Sequence, residues 1–250
     1  QLEEAAVVAK GESKIVQFHP AYSYEDFVRG ISAKTDNEGR VFYEVENRIL
    51  AEFAEKALST PSANFVLIVD EINRANLPAV LGELIYALEY RHDEAAPEVT
   101  TVESMYAIKR TGADEQANKA LKLPKNLYVI GTMNTADRSV GHIDYAIRRR
   151  FAFLDVLPSD TVLDEVIADP QVRTKAKTIF TAVASLFTSE YLAPDFRQHQ
   201  VQLGHSYFLA TNEDQLRLKL EHEIKPLLRE YVKDGILLEA ATQVVEALHV

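Results

Sequence analysis

The stretch FVLIVDEINRAN occupies residues 65–76. Five apolar residues, Phe65, Val66, Leu67, Ile68 and Val69, end on two adjacent acids, Asp70 and Glu71. An apolar run of this length predicts a strand buried on both faces of a parallel sheet. At the carboxyl end of such a strand, side chains emerge into the crevice where α/β proteins bind ligands. Mg2+ takes hard oxygen ligands, commonly one or two carboxylates plus phosphate oxygens. Asp70 in that place can hold the metal, usually through water, and Glu71 can orient or polarise an attacking water. Acids at strand ends also cap the helices that follow them, so the pair alone leaves both readings open.

A second strand end strengthens the first. LYVIGTMNTADRS, residues 127–139, again runs from a buried strand into polar groups: Thr132, Asn134, Thr135, Asp137 and Arg138. Asn134 lies just past the strand, where its amide could hold a water or a phosphate oxygen. The alternative is an Asx-turn that satisfies its own loop. Third comes YAIRRRF, residues 145–151. Consecutive helical residues differ by about 100°, so Arg148, Arg149 and Arg150 cannot all face one way. Arginine stabilises charge in phosphoryl transfer, in cis or from a neighbouring subunit. Cations at a helix C-terminus are also favourable without any function.

Around these motifs, strand and helix alternate. Residues 2–9 read as the tail of a helix, 14–18 as a short strand and 23–28 as a short helix capped by Ser23. Residues 41–45 read as a strand, 45–58 as a helix broken by Pro61, and 77–90 as one amphipathic helix. Residues 91–123 read as a long loop with a hairpin around 99–108. A short helix is expected over 143–150 and a third strand over 151–156. Such alternation predicts an α/β layer fold with a parallel sheet. Beyond Pro158 the pattern turns helical, over 163–167, 172–187, 213–232 (with Pro226 as a break or restart) and 236–248, with Gly235 as a helix stop. The expected division is residues 1–158 as an α/β core and 159–250 as a helical second domain.

Bulk composition narrows the function. The 250 residues are 47% hydrophobic and 26% charged, as in ordinary globular proteins. A net charge of −11 argues against a surface devoted to nucleic acid. The absence of cysteine excludes disulfides and zinc–thiolate sites. The seven histidines show no metal-ligand spacing, and no G-x-S-x-G elbow supports a serine hydrolase. His205, in QLGHSYF, places a polar step inside an apolar stretch and reads as a hydrogen-bonded structural histidine or a site residue. No run approaches the ~20 apolar residues of a membrane helix, and a cytoplasmic protein is expected.

Taken together, DEINRAN (70–76), GTMNTADRS (131–139) and DYAIRRRF (144–151) resemble the McrB-type AAA+ proteins, the nucleotide-driven motor subunits of methylation-dependent restriction systems. VQFHPAYSYEDFVRG (16–30) resembles another block of that family, and GHSYF and PLLREY its helical lid. The resemblance implies an AAA+ P-loop NTPase core followed by a mostly α-helical lid. It implies Asp70 and Glu71 as the Walker B pair, with Asp70 on Mg2+ and Glu71 activating water. Asn73 would belong to the extended motif and Asn134 would be the sensor reading the γ-phosphate. Asp137 and Arg138 would complete the signature at the subunit boundary. Arg149, then Arg148, would reach the next subunit's nucleotide, and His205 would approach it from the lid. The implied cofactors are Mg2+ with GTP or ATP. The implied partners are further copies in a hexameric ring and a McrC-type nuclease subunit, with DNA contacted only through other domains or that partner.

One element of the family is missing. A phosphate-binding loop needs G-x-x-x-x-G-K-[ST], and none of the nine glycines precedes a lysine. In the family the loop comes before a helix that leads into the VQFHP-like block, so it is expected just upstream of Gln1, on a strand central to the sheet. A hydrolysis-inactive scaffold of the same fold is the alternative.

Overall fold

A computed structural model describes residues 10–109, 117–134 and 143–250. It divides into two compact units, Gln1–Ala152 and Phe153–Val250. The expected helix over 2–9 lies outside the described residues.

The first unit contains β1 (Glu12–Gln17), α1 (Tyr24–Phe27), β2 (Arg29–Thr35), β3 (Val41–Asn47), α2 (Ile49–Ser59) and β4 (Phe65–Asp70). A 3-10 turn (Ile72–Arg74) leads to α3 (Leu77–Leu81), α4 (Leu84–Glu89), α5 (Pro97–Thr100), β5 (Val102–Lys109), β6 (Ala117–Leu121), β7 (Leu127–Gly131) and α6 (Tyr145–Arg148). The central sheet is parallel in the order β1-β4-β7, as the apolar runs predict. Phe65, Leu67, Val69 and Leu127 face a core that includes Leu50, Phe53 and Ala57 of α2 and Leu84 of α4. On the opposite face the register aligns Ile15, Ile68 and Ile130 in one row. Ile15 is 67% exposed and Ile130 52%, so this face is uncovered among the described residues. Strands of parallel sheets are normally covered on both faces.

In the first unit, four local features differ from the reading of the sequence. The helix expected over 77–90 is two helices, because Gly82 adopts φ +50° and a Cβ there would lie 3.1 Å from the Tyr24 ring. β2 is a strand that its polar sequence did not announce. It pairs antiparallel with β3 from Arg29↔Asn47 to Thr35↔Val41. Asp36 Oδ1 closes the turn by accepting from the Glu38 and Arg40 amides, both at 2.9 Å. The hairpin expected around 99–108 is β5–β6, displaced toward the C-terminus. Residues 151–156 form no strand among the described residues, and Leu154 and Val156 are 89% and 87% exposed. Apolar character favours a strand only where a neighbouring edge accepts its hydrogen bonds, and among the described residues none does so.

Buried Arg29 fastens β2 to β5–β6. Its Nε donates to Asn47 Oδ1 at 2.9 Å, and its other nitrogens donate to the carbonyls of Tyr106, Asn118 and Ala120. Burial pushes its pKa down from the ordinary arginine value. Among the described residues no carboxylate hydrogen-bonds to it, and the Asn47 amide oxygen and three main-chain carbonyls solvate its charge.

The second unit is helical: α7 (Thr161–Val166), α8 (Pro170–Ser185), α9 (Gln198–Val201), a 3-10 turn (His205–Phe208), α10 (Glu213–Lys219), α11 (Lys225–Lys233) and α12 (Ala241–Ala247). Asp169 and Asn212 cap α8 and α10 by accepting main-chain N–H groups. Between α10 and α11 the backbone widens into a π turn over Leu220–Ile224. Pro226 follows directly; it lacks an amide hydrogen and its ring crowds the carbonyl four residues back, which a wider turn relieves. Gly235 at φ +71° ends α11, as expected. The final helix starts at Ala241 rather than 236, because Ile236 and Leu238 hydrogen-bond to the 191–193 backbone and Leu237 bridges Leu192. The unit's core gathers Leu163, Ala176, Phe208, Leu216, Leu220 and Leu228. Among the described residues, no helix is long and apolar enough to cross a membrane.

Candidate functional site

β4 and β7 are adjacent and parallel, with Val69 opposite Gly131. Asp70 and Glu71 therefore leave the sheet beside Thr132 and Asn134. Main-chain bonds join the two exits: Thr132 N–H donates to the Val69 carbonyl at 3.0 Å, and Ile72 N–H donates to the Thr132 carbonyl at 2.9 Å. Side chains add more. The Thr132 hydroxyl donates to Asp70 Oδ1 at 2.6 Å and accepts the Glu71 amide at 3.3 Å. Asn73 Nδ2 donates to the Asn134 carbonyl at 3.5 Å. Four of the residues expected in the site, Asp70, Glu71, Asn73 and Asn134, are thus held in one hydrogen-bonded corner.

That corner carries strain and unused acceptors. Glu71 sits at φ 53°, ψ 44°, the only non-glycine residue at positive φ among those described. For an L-residue the left-handed region costs about 1 kcal/mol. Glu71 Oε2 is buried without a hydrogen-bond donor; Arg74 Nε lies 3.3 Å away, near enough for charge attraction but outside hydrogen-bonding geometry. Asn73 Oδ1 is likewise buried, and among the described residues neither oxygen has a hydrogen-bond donor. Each such acceptor costs about 1–3 kcal/mol unless a partner supplies the missing contact. Gly131 is required by close packing: a Cβ there would lie 2.7 Å from Ile72 Cδ1 and 3.0 Å from its Cγ2.

No group of three or more His, Asp or Glu among the described residues could enclose a metal. The corner instead offers one half-buried carboxylate, Asp70, whose Oδ1 is held by Thr132. With two unsatisfied acceptors close by in sequence, this donor set suits Mg2+, which keeps several waters and shares one or two carboxylates with substrate phosphates.

The arginine run resolves into separate tasks. Asp144 caps α6 by accepting the Ile147 amide at 2.9 Å, and Ile147 is fully buried. Tyr145, Arg148 and Arg149 are exposed. Arg150 turns back on its own unit. Its side chain is 9% exposed, it pairs with Glu89 of α4 at 3.1 Å, and it donates to the Ala146 carbonyl. Arg149 makes no ion pair or side-chain hydrogen bond among the described residues. Asp137 and Arg138 lie outside the described residues. His205 belongs to the second unit, where its Nδ1 accepts the Ser159 amide at 3.4 Å.

Thr132 and Gly131 are the site's least legible members. Both were visible as the end of a strand, but their importance depends on which residues of β4 lie opposite.

Comparison with known proteins agrees with this architecture. The model of the AAA domain (dynein-related subfamily) matches residues 2–151, and that of the McrB alpha-helical lid domain matches residues 190–236. The Type IV methyl-directed restriction enzyme EcoKMcrB subunit of Escherichia coli K12 is 34% identical over 238 residues, covering 88% of this chain and 47% of that protein. The Type II restriction enzyme BsuMI component YdiS of Bacillus subtilis 168 is 29% identical over 161 residues, covering 55% of this chain and 46% of that protein. The chain therefore spans about half the length of the curated relatives it matches. With its parallel sheet, the matched α/β unit and the matched lid, the chain belongs to the AAA domain family and carries a lid of the McrB type.

Proposed function

We propose that this chain is the nucleotide-hydrolysing part of a ring-forming motor that drives a DNA restriction or related defence complex. The observation that carries the proposal is the corner where Asp70, Glu71, Asn73 and Asn134 meet, with two buried acceptor oxygens lacking donors. Mg2+, when bound, would supply positive charge that offsets the phosphate charge. Asp70 would hold it, through water. Glu71 would accept a proton from the attacking water or orient it. Asn134 would contact the γ-phosphate, and Asn73 would tie its loop to the Glu71 turn.

Exposure, with no ion pair or side-chain hydrogen bond among the described residues, supports Arg149 as the residue reaching a neighbouring subunit's nucleotide; Arg148 is its exposed neighbour in sequence. The ion pair of Arg150 with Glu89 argues for a structural role there. We assign Asp137 and Arg138 to the subunit boundary and His205 to the nucleotide side of the lid. We also propose hexameric assembly, a McrC-type nuclease partner and DNA contact through other domains, readings that the likeness to restriction components supports.

This function requires a phosphate-binding loop. Among the described residues the outer edge of β7 is unpaired and the row of Ile15, Ile68 and Ile130 is uncovered; both support a further strand and helix beside β7, and we propose that they carry it. The test is hydrolysis of GTP and ATP, in parallel, by the full-length protein with Mg2+ and with chelator. Mg2+-dependent release of phosphate from at least one nucleotide is expected. Tight nucleotide binding with no release would favour a scaffold that senses nucleotide without consuming it.

A further inference from the structure

We propose that Thr132 is a positioning residue whose hydroxyl sets the geometry of both acids of the DE pair. This inference rests on the function proposed above. Among the described residues, all four polar contacts of Thr132 go to residues 69–72: its N–H to the Val69 carbonyl, its carbonyl to the Ile72 amide, and its hydroxyl to Asp70 Oδ1 and the Glu71 amide. A hydroxyl has one proton to give. It is spent on Asp70 Oδ1 at 2.6 Å, a short charge-assisted bond that holds the carboxylate in one rotamer. The oxygen's lone pair then receives the Glu71 amide, which supports that residue in its left-handed conformation. One atom thus fixes where the metal-holding carboxylate sits and where the water-activating side chain starts. No other side chain among the described residues hydrogen-bonds to Asp70.

Second contacts of this kind orient metal ligands, and losing one typically lowers metal affinity or activity about 10- to 100-fold. Thr132→Val keeps the shape and removes the hydroxyl. Thr132→Ser keeps the hydroxyl and removes the methyl.

The experiment uses the full-length protein, with three readouts. These are the Mg2+ concentration giving half-maximal hydrolysis, kcat and KM for the preferred nucleotide, and hydrogen exchange of the Glu71 amide without nucleotide or metal. For Thr132→Val we expect a Mg2+ requirement raised or a kcat lowered by about tenfold or more, a nucleotide KM within about twofold, and faster Glu71 exchange. Thr132→Ser is expected to recover most of the rate and the slow exchange. A folded Thr132→Val with wild-type Mg2+ requirement, kcat and Glu71 protection overturns the proposal. So does Thr132→Ser failing to the same degree as Thr132→Val. Should the valine protein not fold, Thr132→Ala takes its place under the same outcomes. If the wild-type protein shows no Mg2+-dependent turnover, the proposed function fails instead, and unchanged Glu71 exchange in the variants still decides against Thr132.

Discussion

Replacing the proposed water-activating residue should make the protein more stable while it abolishes turnover. The perturbation is Glu71→Gly. Glu71 occupies φ 53°, ψ 44°, which costs about 1 kcal/mol for an L-residue and nothing steric for glycine. Removing the side chain also removes the buried, donorless Oε2, a relief of about 1–3 kcal/mol. Against this stands the contact with Arg74, 3.3 Å away with its own side chain 44% exposed, worth about 1 kcal/mol. The extra freedom of glycine in the unfolded chain costs a further 0.5–1 kcal/mol, roughly. The balance is about 1 kcal/mol in favour of the variant, or a rise of about 2–4 °C in the Tm of a domain this size. The assay is calorimetry of the full-length protein without nucleotide or Mg2+, with Glu71→Gln as control. The glutamine keeps the left-handed backbone and buries an amide in the same place, so its Tm should stay near wild type. A Glu71→Gly protein less stable than wild type by about 1 kcal/mol or more would refute the claim that this turn stores strain for function.

Two further perturbations separate roles that the sequence places side by side. Arg150→Ala should lower stability by about 1 kcal/mol, since the loss of a buried side chain, its Glu89 pair and its bond to a carbonyl of α6 is partly offset by removal of the buried, partnerless Nε, whereas Arg149→Ala should leave the Tm unchanged. Arg149→Ala should instead slow hydrolysis in the assembled ring, and subunits lacking Arg149 but intact at Glu71 should regain activity when mixed with Glu71→Gln subunits; equal Tm losses in the two arginine variants would contradict the assignment. Gly131→Ala should destabilise by about 1–3 kcal/mol through overpacking against Ile72, and Ile72→Val, which deletes the methyl in closest contact, should restore part of the loss; additive effects in thermal denaturation would mean that the two residues do not meet.

How much was legible depended on whether the governing interaction was local. The strand at 65–70 and the strand at 127–131 could be read directly, because uninterrupted apolar residues leave few other structures open to them. Asp70, Glu71 and Asn134 followed from those strands, since residues at the carboxyl ends of neighbouring parallel strands meet. The break at Gly82 was not legible, because glycine is tolerated within a helix and nothing in the local sequence announces the positive φ it adopts here. β2 was hidden because its anchor, a buried arginine, is held by carbonyls contributed by a hairpin some 77–91 residues away. Residues 151–156 have the composition of a strand, but pairing is a property of two segments, and composition describes only one. The same limit applied to Thr132, whose bonds reach across 61 and 62 residues, and to Arg150, whose role is set by Glu89.

The central claim is that the Asp70–Glu71 corner is a hydrolysis site. Its most direct test compares wild-type protein with Glu71→Gln, both full length, for GTP and ATP binding and for Mg2+-dependent phosphate release. The account predicts that Glu71→Gln binds nucleotide with wild-type affinity and loses turnover by about 100-fold or more. A Glu71→Gln protein that hydrolyses nucleotide at the wild-type rate would contradict it.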